Sequence, residues 1–301
     1  MRSLFVALFC CFSFSAMTQQ PPEIPLYRKA IPGAKASADL EKAETGSDGV
    51  VRVARISKPT LRIYSPDPAN RNDIAILIFP GGGYAINAIK HEGWDVAEYL
   101  RSQGFTAIVV KYRLPDSATM EHPEMGPLQD AQEALLYVRK QAKKLGINPA
   151  KTGVIGFSAG GHLASTLSTH FVYHKKPASV RPDFSILVYP VITLSTPAAH
   201  TGSRDRLLGK LPTPETLTRF SNELQVTPET PPAFLVHAKD DRVSIENTYL
   251  YRDALQKNGV TVETLIYEKG GHGYGMHNRQ SDVFWPSKVV EWLKQAPLLC
   301  L

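Results

Sequence analysis

The sequence is short of the features that would mark several kinds of protein. Beyond the first sixteen residues no run is long and apolar enough to cross a bilayer. Only three cysteines occur. Two of them, Cys10 and Cys11, lie in the opening run, and the rest of the chain keeps Cys300 alone. No internal disulfide is therefore expected, and the fold must stand on its core. Lysine doublets occur only at Lys143–Lys144 and Lys175–Lys176, and no basic stripe is interleaved with aromatics. That argues against a nucleic-acid partner, and the net charge of +6 is a mild balance. The histidines have no ligand spacing, so no metal ion is expected. No Gly-Lys-Ser/Thr follows a glycine loop, which excludes a phosphate-binding P-loop. "GGGYAI" lacks the third glycine of a dinucleotide loop, so no cofactor is implied. No internal repeat is found.

The chain does have an export-like start. "MRSLFVALFCCFSFSA" carries one arginine and then an apolar run ending in small residues. It reads as a signal peptide over residues 1–16, cut near Ser15 to Met17, and the protein is expected to be exported. Residues 17–49 have no clear periodicity and read as a leader or wrap. One domain is expected over 50–301.

Within that domain, "VVRVARI" (50–56) and "TLRIYSP" (60–66) alternate and are expected to form an antiparallel pair. Continuous apolar runs at 73–80, 105–115, 151–157, 184–190 and 232–238 read as strands buried on both faces, with a last strand at 260–270. Helices are expected between them at 91–104, 127–146, from Ser158 onwards, 244–259 and 282–296. Such alternation demands a mostly parallel sheet with right-handed crossovers, an α/β fold. Residues 191–231 break the rhythm with many prolines. They form an insertion after a central strand, with a helical patch at 214–225, where a lid or substrate wall could sit.

Four stretches carry chemistry. "GFSAG" (156–160) sits at a strand-to-helix junction, where a sharp turn would lift the Ser158 hydroxyl above the sheet edge. "EKGGHGYGM" (268–276) follows the last strand and places His272 as a general base, ahead of His277. "FLVHAKDDRV" (234–243) offers Asp240 and Asp241. The spacing Asp-x-x-Val favours Asp240 as the carboxylate that orients the imidazole, leaving Asp241 to cap a helix or pair with Arg242. "FPGGGYAI" (79–86) supplies bare backbone N–H groups. With the N–H of Ala159, those of Gly82 and Gly83 would form an oxyanion hole. Each stretch has an ordinary explanation, such as a turn serine, a solvated loop histidine or a flexible glycine triplet. Their joint placement at strand ends, in the order serine, acid, histidine, matches an α/β-hydrolase and points to acyl transfer.

"IFPGGGY", "HEGWDVAEYL", "YRLP", "HPEMGPLQDAQEALLYVR", "GFSAGGHLAS", "LVHAKDDRVSIEN" and "KGGHGYG" together resemble an α/β-hydrolase group, the bacterial esterases close to acetyl xylan and feruloyl esterases. The resemblance runs from about Ile74 onwards, with departures at Ala238 and Ser244. It implies a serine esterase acting on an acylated carbohydrate or another small ester, with Ser158, Asp240 and His272 as the triad. A dipeptidyl-peptidase-like hydrolase and a non-catalytic binding protein on the same fold are the alternatives. His162 is expected to be a packed histidine and Asp130 to serve a helix dipole. Glu92 and Trp94 are read either as substrate contacts or as helix-start structure.

Overall fold

The computed structural model describes residues 20–171 and 180–295. The expected signal segment 1–16 and Cys300 lie outside the described residues. Strands β5 (Ala75–Phe79), β7 (Thr106–Lys111), β8 (Thr152–Phe157), β9 (Ser185–Val188) and β10 (Ala233–Ala238) are buried at every position. This is why they read as mostly apolar runs: both faces of the sheet are covered, so neither carries a regular polar alternation. β11 (Val262–Tyr267) closes one edge and is only partly buried.

At the other edge β4 (Thr60–Tyr64) lies antiparallel on β7, and β1 (Glu23–Pro25) antiparallel on β4. The main sheet thus has the order β1-β4-β7-β5-β8-β9-β10-β11. Strands from β7 through β11 pair in parallel, as the alternation requires. The chain leaves β5 towards β7 on one side and later returns to β8 on the other, so the topology switches direction at β5. Open α/β sheets bind ligands in the crevice beyond the strand ends at such a point.

Two expectations are corrected. Residues 50–56 and 60–66 do not pair with each other. β3 (Val51–Ala54) joins a small sheet between β2 (Lys42–Thr45) and β6 (Ile86–Asn87), whereas β4 enters the main sheet. Alternation identified both strands, but their partners come from distant parts of the chain. Asp130 does not serve a helix dipole. It is fully buried, accepting from the Arg113 backbone N–H at 2.8 Å, the Arg113 guanidinium at 3.0 Å and the Tyr27 hydroxyl at 2.9 Å. Arg113 also donates to the Pro32 carbonyl at 2.9 Å. Residues read as a leader therefore supply β1, β2 and two partners of this buried ion pair.

α1 (Asp95–Ser102) packs on β7, α4 (Ala159–Thr169) packs on β8 and β9, and α2 (Gly126–Lys140) packs on α4. The expected helix over 127–146 divides at Gln141, and α3 (Ala142–Leu145) follows. From the last helix, α8 (Trp285–Gln295), Trp285 meets Phe157 edge-on, and Trp292 meets Phe184 and Phe234. Trp285 thus fills the core at the end of β8, and Trp292 fills it at the starts of β9 and β10. In the proline-rich segment, α5 (Thr201–Leu208), α6 (Pro214–Phe220) and a 3-10 turn at Asn222–Gln225 are formed. α7 (Glu246–Lys257) links β10 to β11. Among the described residues no helix is long and apolar enough to cross a membrane.

Candidate active site

Ser158 joins β8 to α4 with φ 52° and ψ −118°, a backbone state that L-residues rarely hold. The turn is sharp because both flanking glycines let other backbone come close. A Cβ on Gly156 would stand 2.2 Å from the Gly160 carbonyl oxygen, and one on Gly160 would stand 2.1 Å from that of Phe79. The first turns of α4 thus forbid a side chain at Gly156, and the end of β5 forbids one at Gly160. The amide of Ser158 is tied to the Val188 carbonyl at 3.0 Å, which leaves its hydroxyl as the group presented at the sheet edge.

That hydroxyl lies 2.8 Å from His272 Nε2, across a sequence gap of 114 residues. β10 and β11 run in register from Ala233↔Val262 to Ala238↔Tyr267, so the loops after them leave the sheet side by side. The carboxylate on His272 Nδ1 belongs to Asp241, at 2.9 Å, and not to Asp240. The reason is the turn after β10. The Asp241 amide bonds back to the Ala238 carbonyl, placing Lys239 and Asp240 at the exposed corner and turning Asp241 inwards. Asp240 neither caps a helix nor pairs with Arg242. Its Oδ1 accepts the amides of Gly270 and Gly271, both at 2.8 Å, and so holds the loop that carries His272.

Burial pushes the Asp241 carboxyl up, but hydrogen bonds from His237 and His272 and the electrostatic attraction of both rings outweigh it. The group sits below the usual carboxylate range and is ionised at neutral pH. An ionised Asp241 selects the tautomer with the proton on Nδ1, which leaves the Nε2 lone pair facing the Ser158 hydroxyl. His277, the competing histidine, instead stacks on Phe284 at 5.1 Å between ring centres.

The glycine loop after β5 comes to the same edge because Phe79 pairs with Gly156. Gly82 has φ 129°, and a Cβ there would stand 2.3 Å from the Ile86 carbonyl oxygen. The loop is pinned at both ends. The Gly81 amide donates to Glu92 Oε2 at 2.7 Å, and the Tyr84 hydroxyl meets His162 Nδ1 at 2.9 Å. Gly82 and Gly83 line one cavity with Ser158 and His272, and Ala159 supplies the first N–H of α4, which has no partner within its own helix.

His162 is the packed histidine expected. It is fully buried between Tyr84 and the Phe220 carbonyl, and burial pulls its pKa down to about 4. Glu92 sits in a single π-helical turn, Lys90–Trp94, that precedes α1 and was not foreseen. Such turns widen a helix and often serve sites. The turn brings the buried Glu92 carboxylate into the cavity wall, whereas Trp94 lies under the Arg62 guanidinium at 5.0 Å.

Tyr189, at the end of β9, was missed in the sequence. It is buried with φ 38°, donates its hydroxyl to Glu92 Oε1 at 2.8 Å and accepts the Gly275 amide at 3.0 Å. Its ring meets His272 edge-on at 4.9 Å. The signal was available: "ILVYP" ends at the same sheet edge as the other site loops. The cavity holds about 430 Å³. The segment 191–231 contributes His200 and Arg206 to its lining, so that segment forms a wall.

Comparison with known proteins accords with this geometry. A family model described as BD-FAE matches residues 61–255. An acetylxylan esterase of Xylanibacter ruminicola is 38% identical over 213 residues, which cover 69% of this chain and 42% of that protein. Endo-1,4-beta-xylanase B of Butyrivibrio fibrisolvens is 36% identical over 235 residues, covering 75% of this chain and 36% of that protein. The chain therefore spans less than half the length of these two curated relatives. Among solved structures, the acetyl ester-xyloside bifunctional hydrolase of Caldicellulosiruptor lactoaceticus is 37% identical, with a TM-score of 0.74, over 93% of this chain and 95% of that one. A propionate-bound thermophilic esterase of Thermogutta terrifontis is 26% identical, with a TM-score of 0.65, over 91% and 98%. The α/β-hydrolase fold and the esterase resemblance read from the sequence are borne out.

Proposed function

The chain belongs to the BD-FAE family, and from that premise we propose that it is a serine carboxylic-ester hydrolase that removes acetyl or similar groups from carbohydrate or other small esters. The observation that carries this reading is the hydrogen-bonded chain Ser158 Oγ, His272 Nε2, His272 Nδ1, Asp241, at 2.8 and 2.9 Å, beside a glycine loop. An activated hydroxyl with an oriented base is what acyl transfer needs.

In this mechanism Ser158 Oγ attacks the ester carbonyl carbon while its proton passes to His272 Nε2. The carbonyl oxygen takes the negative charge and is met by the N–H groups of Gly82, Gly83 and Ala159. Asp241 stabilises the imidazolium without taking its proton. The imidazolium then protonates the departing alcohol oxygen, and an acyl-serine remains. Water repeats the sequence, giving its proton to His272, and the acid leaves with Ser158 restored. The carbohydrate part rests on the named relatives, and the ester chemistry on the residues.

We propose further that residues 1–16 direct export, on the sequence pattern alone. Amino-terminal sequencing of protein recovered outside the cytoplasm would find a start near residue 17, and retention of Met1 there removes that part. For the chemistry, acetylated xylan, feruloyl esters and short 4-nitrophenyl esters should be compared. Hydrolysis of the nitrophenyl esters alone removes the carbohydrate part. A fluorophosphonate probe should label Ser158 in the folded protein, and failure to do so would favour a non-catalytic role.

A further inference from the structure

The cavity around Ser158 is rich in charge, and the charges do not balance. Arg52 is spoken for, because its guanidinium bonds Asp48 at 2.9 Å. Glu92 uses both oxygens on Gly81 and Tyr189. Nearby acids are also engaged: Asp205 pairs with Arg204 at 2.9 Å, Asp240 holds two amides, and Asp241 takes His272. Two arginines in the lining have no carboxylate partner among the described residues. Arg206 is exposed and donates only to the Gly202 carbonyl at 3.1 Å. Arg242 is exposed, and no hydrogen bond or ion pair to it is found among the described residues.

These two arginines reach the cavity lining from different elements. Arg206 comes from α5, in the proline-rich segment, and its Nη1 lies 3.7 Å from the point where a Cβ on Gly83 would stand. It therefore lies beside the proposed oxyanion loop. Arg242 directly follows the carboxylate of Asp241. His200, also in the lining, has its pKa held down by burial and then by electrostatic repulsion from the His272 ring and from the guanidinium groups of Arg242 and Arg206. The fields of both arginines thus converge on this cavity. Like charges gathered at a pocket repel one another and draw in a ligand of opposite sign. A guanidinium offers a planar fork that matches a carboxylate.

We infer that the substrate ester itself bears a carboxylate, held by Arg206 and Arg242 while Ser158 attacks the ester carbonyl. This rests on the esterase reading above and narrows its substrate class. The carboxylate could belong to the acyl side, as in a half-ester of a dicarboxylic acid, or to the alcohol side, as in an acetylated uronic acid sugar.

The test compares kcat/KM for matched pairs on the full chain. One arm sets 4-nitrophenyl hemisuccinate against 4-nitrophenyl valerate. The other sets an acetylated methyl glucuronoside against the same acetylated methyl glucoside. In one arm the charged member is preferred by about tenfold or more, since a charge-assisted contact is worth about one to two decades. High salt lowers that preference, and this needs no variant. Arg206→Gln and Arg242→Gln each lower the ratio of charged to neutral kcat/KM, and the arm that responds identifies the side. Equal rates within both pairs at low salt overturn the inference, as does a preference that survives both substitutions and high salt. If neutral esters turn over without any charge preference, this inference fails and the esterase reading stands. If no ester turns over and Ser158 resists the fluorophosphonate probe, both fail.

Discussion

Tyr189 and Glu92 are joined by a 2.8 Å hydrogen bond, and each carries that link to a different loop of the site. Glu92 holds the Gly81 amide of the loop after β5, and Tyr189 holds the Gly275 amide of the loop that carries His272. Two loops that must keep register to within about half an ångström for the proposed acyl transfer therefore share one buried connector.

Removing the connector has a measurable cost. Glu92→Ala leaves the Gly81 N–H and the Tyr189 hydroxyl without their acceptor, and should destabilise the fold by roughly 2–4 kcal/mol. It should lower kcat by about 10- to 100-fold with a smaller change in KM, because positioning is lost and not binding. Glu92→Gln keeps one acceptor oxygen and should recover most of the stability. Urea unfolding and steady-state kinetics on a nitrophenyl ester check both, and an unchanged kcat in the alanine variant would sever the link.

Asp240 and Asp241 are neighbours with separate tasks, and substitution should part them. Asp241→Asn should cut kcat by about 10⁴-fold, since an amide can present its N–H to Nδ1 and stabilise the wrong tautomer. Asp240→Asn keeps an acceptor oxygen for the amides of Gly270 and Gly271, and should stay within about tenfold of the parent. Equal losses would return the imidazole partner to doubt.

Ser158 stores backbone strain at φ 52°. Ser158→Ala and Ser158→Gly should both abolish turnover. Glycine tolerates this conformation, so the glycine variant should be the more stable of the two, by roughly 1 kcal/mol. Thermal melts of the pair measure the difference, and a less stable glycine variant would remove the strain argument.

His162 should give the fold an acid-sensitive shoulder. Its ordinary pKa is 6.5 and burial lowers it to about 4 in the native state. Between those values the unfolded chain binds the proton and the folded chain does not, so stability falls as pH drops through that window. It is fully present above 6.5, and the loss approaches roughly 3 kcal/mol near pH 4. Urea midpoints taken across the window check it. In His162→Gln, which can still serve Tyr84 and the Phe220 carbonyl, the slope should flatten.

Much of this is legible in the sequence. β5, β7, β8, β9 and β10 are buried on both faces, so their sequences have no polar alternation to hide them. Ser158 and His272 are identifiable because parallel strands all place their carboxyl ends at one edge of the sheet. What failed was of another kind. Asp240 and Asp241 differ by one residue in a tight turn, and which of them faces inwards depends on the Asp241 amide finding the Ala238 carbonyl. The partners of β3 and β4 were misjudged because pairing is settled across the chain, while alternation is a local property. Tyr189 stands at a strand end that the sequence marks, but its bonds to Glu92 and Gly275 are tertiary, as is the approach of Arg206 to Gly83, and no spacing rule reaches those contacts.

The Arg113–Asp130 pair, buried with Tyr27 and Pro32 among its partners, decides where this protein can be shortened. A version starting at residue 50 would retain every group proposed to react. Yet it would strip a donor and an acceptor from two charges that water cannot reach, and bare the outer edge of β4 to other chains. Expression trials should append affinity tags ahead of residue 20 and leave residues 20–49 in place. A preparation trimmed further would be expected to precipitate before its chemistry could be assayed.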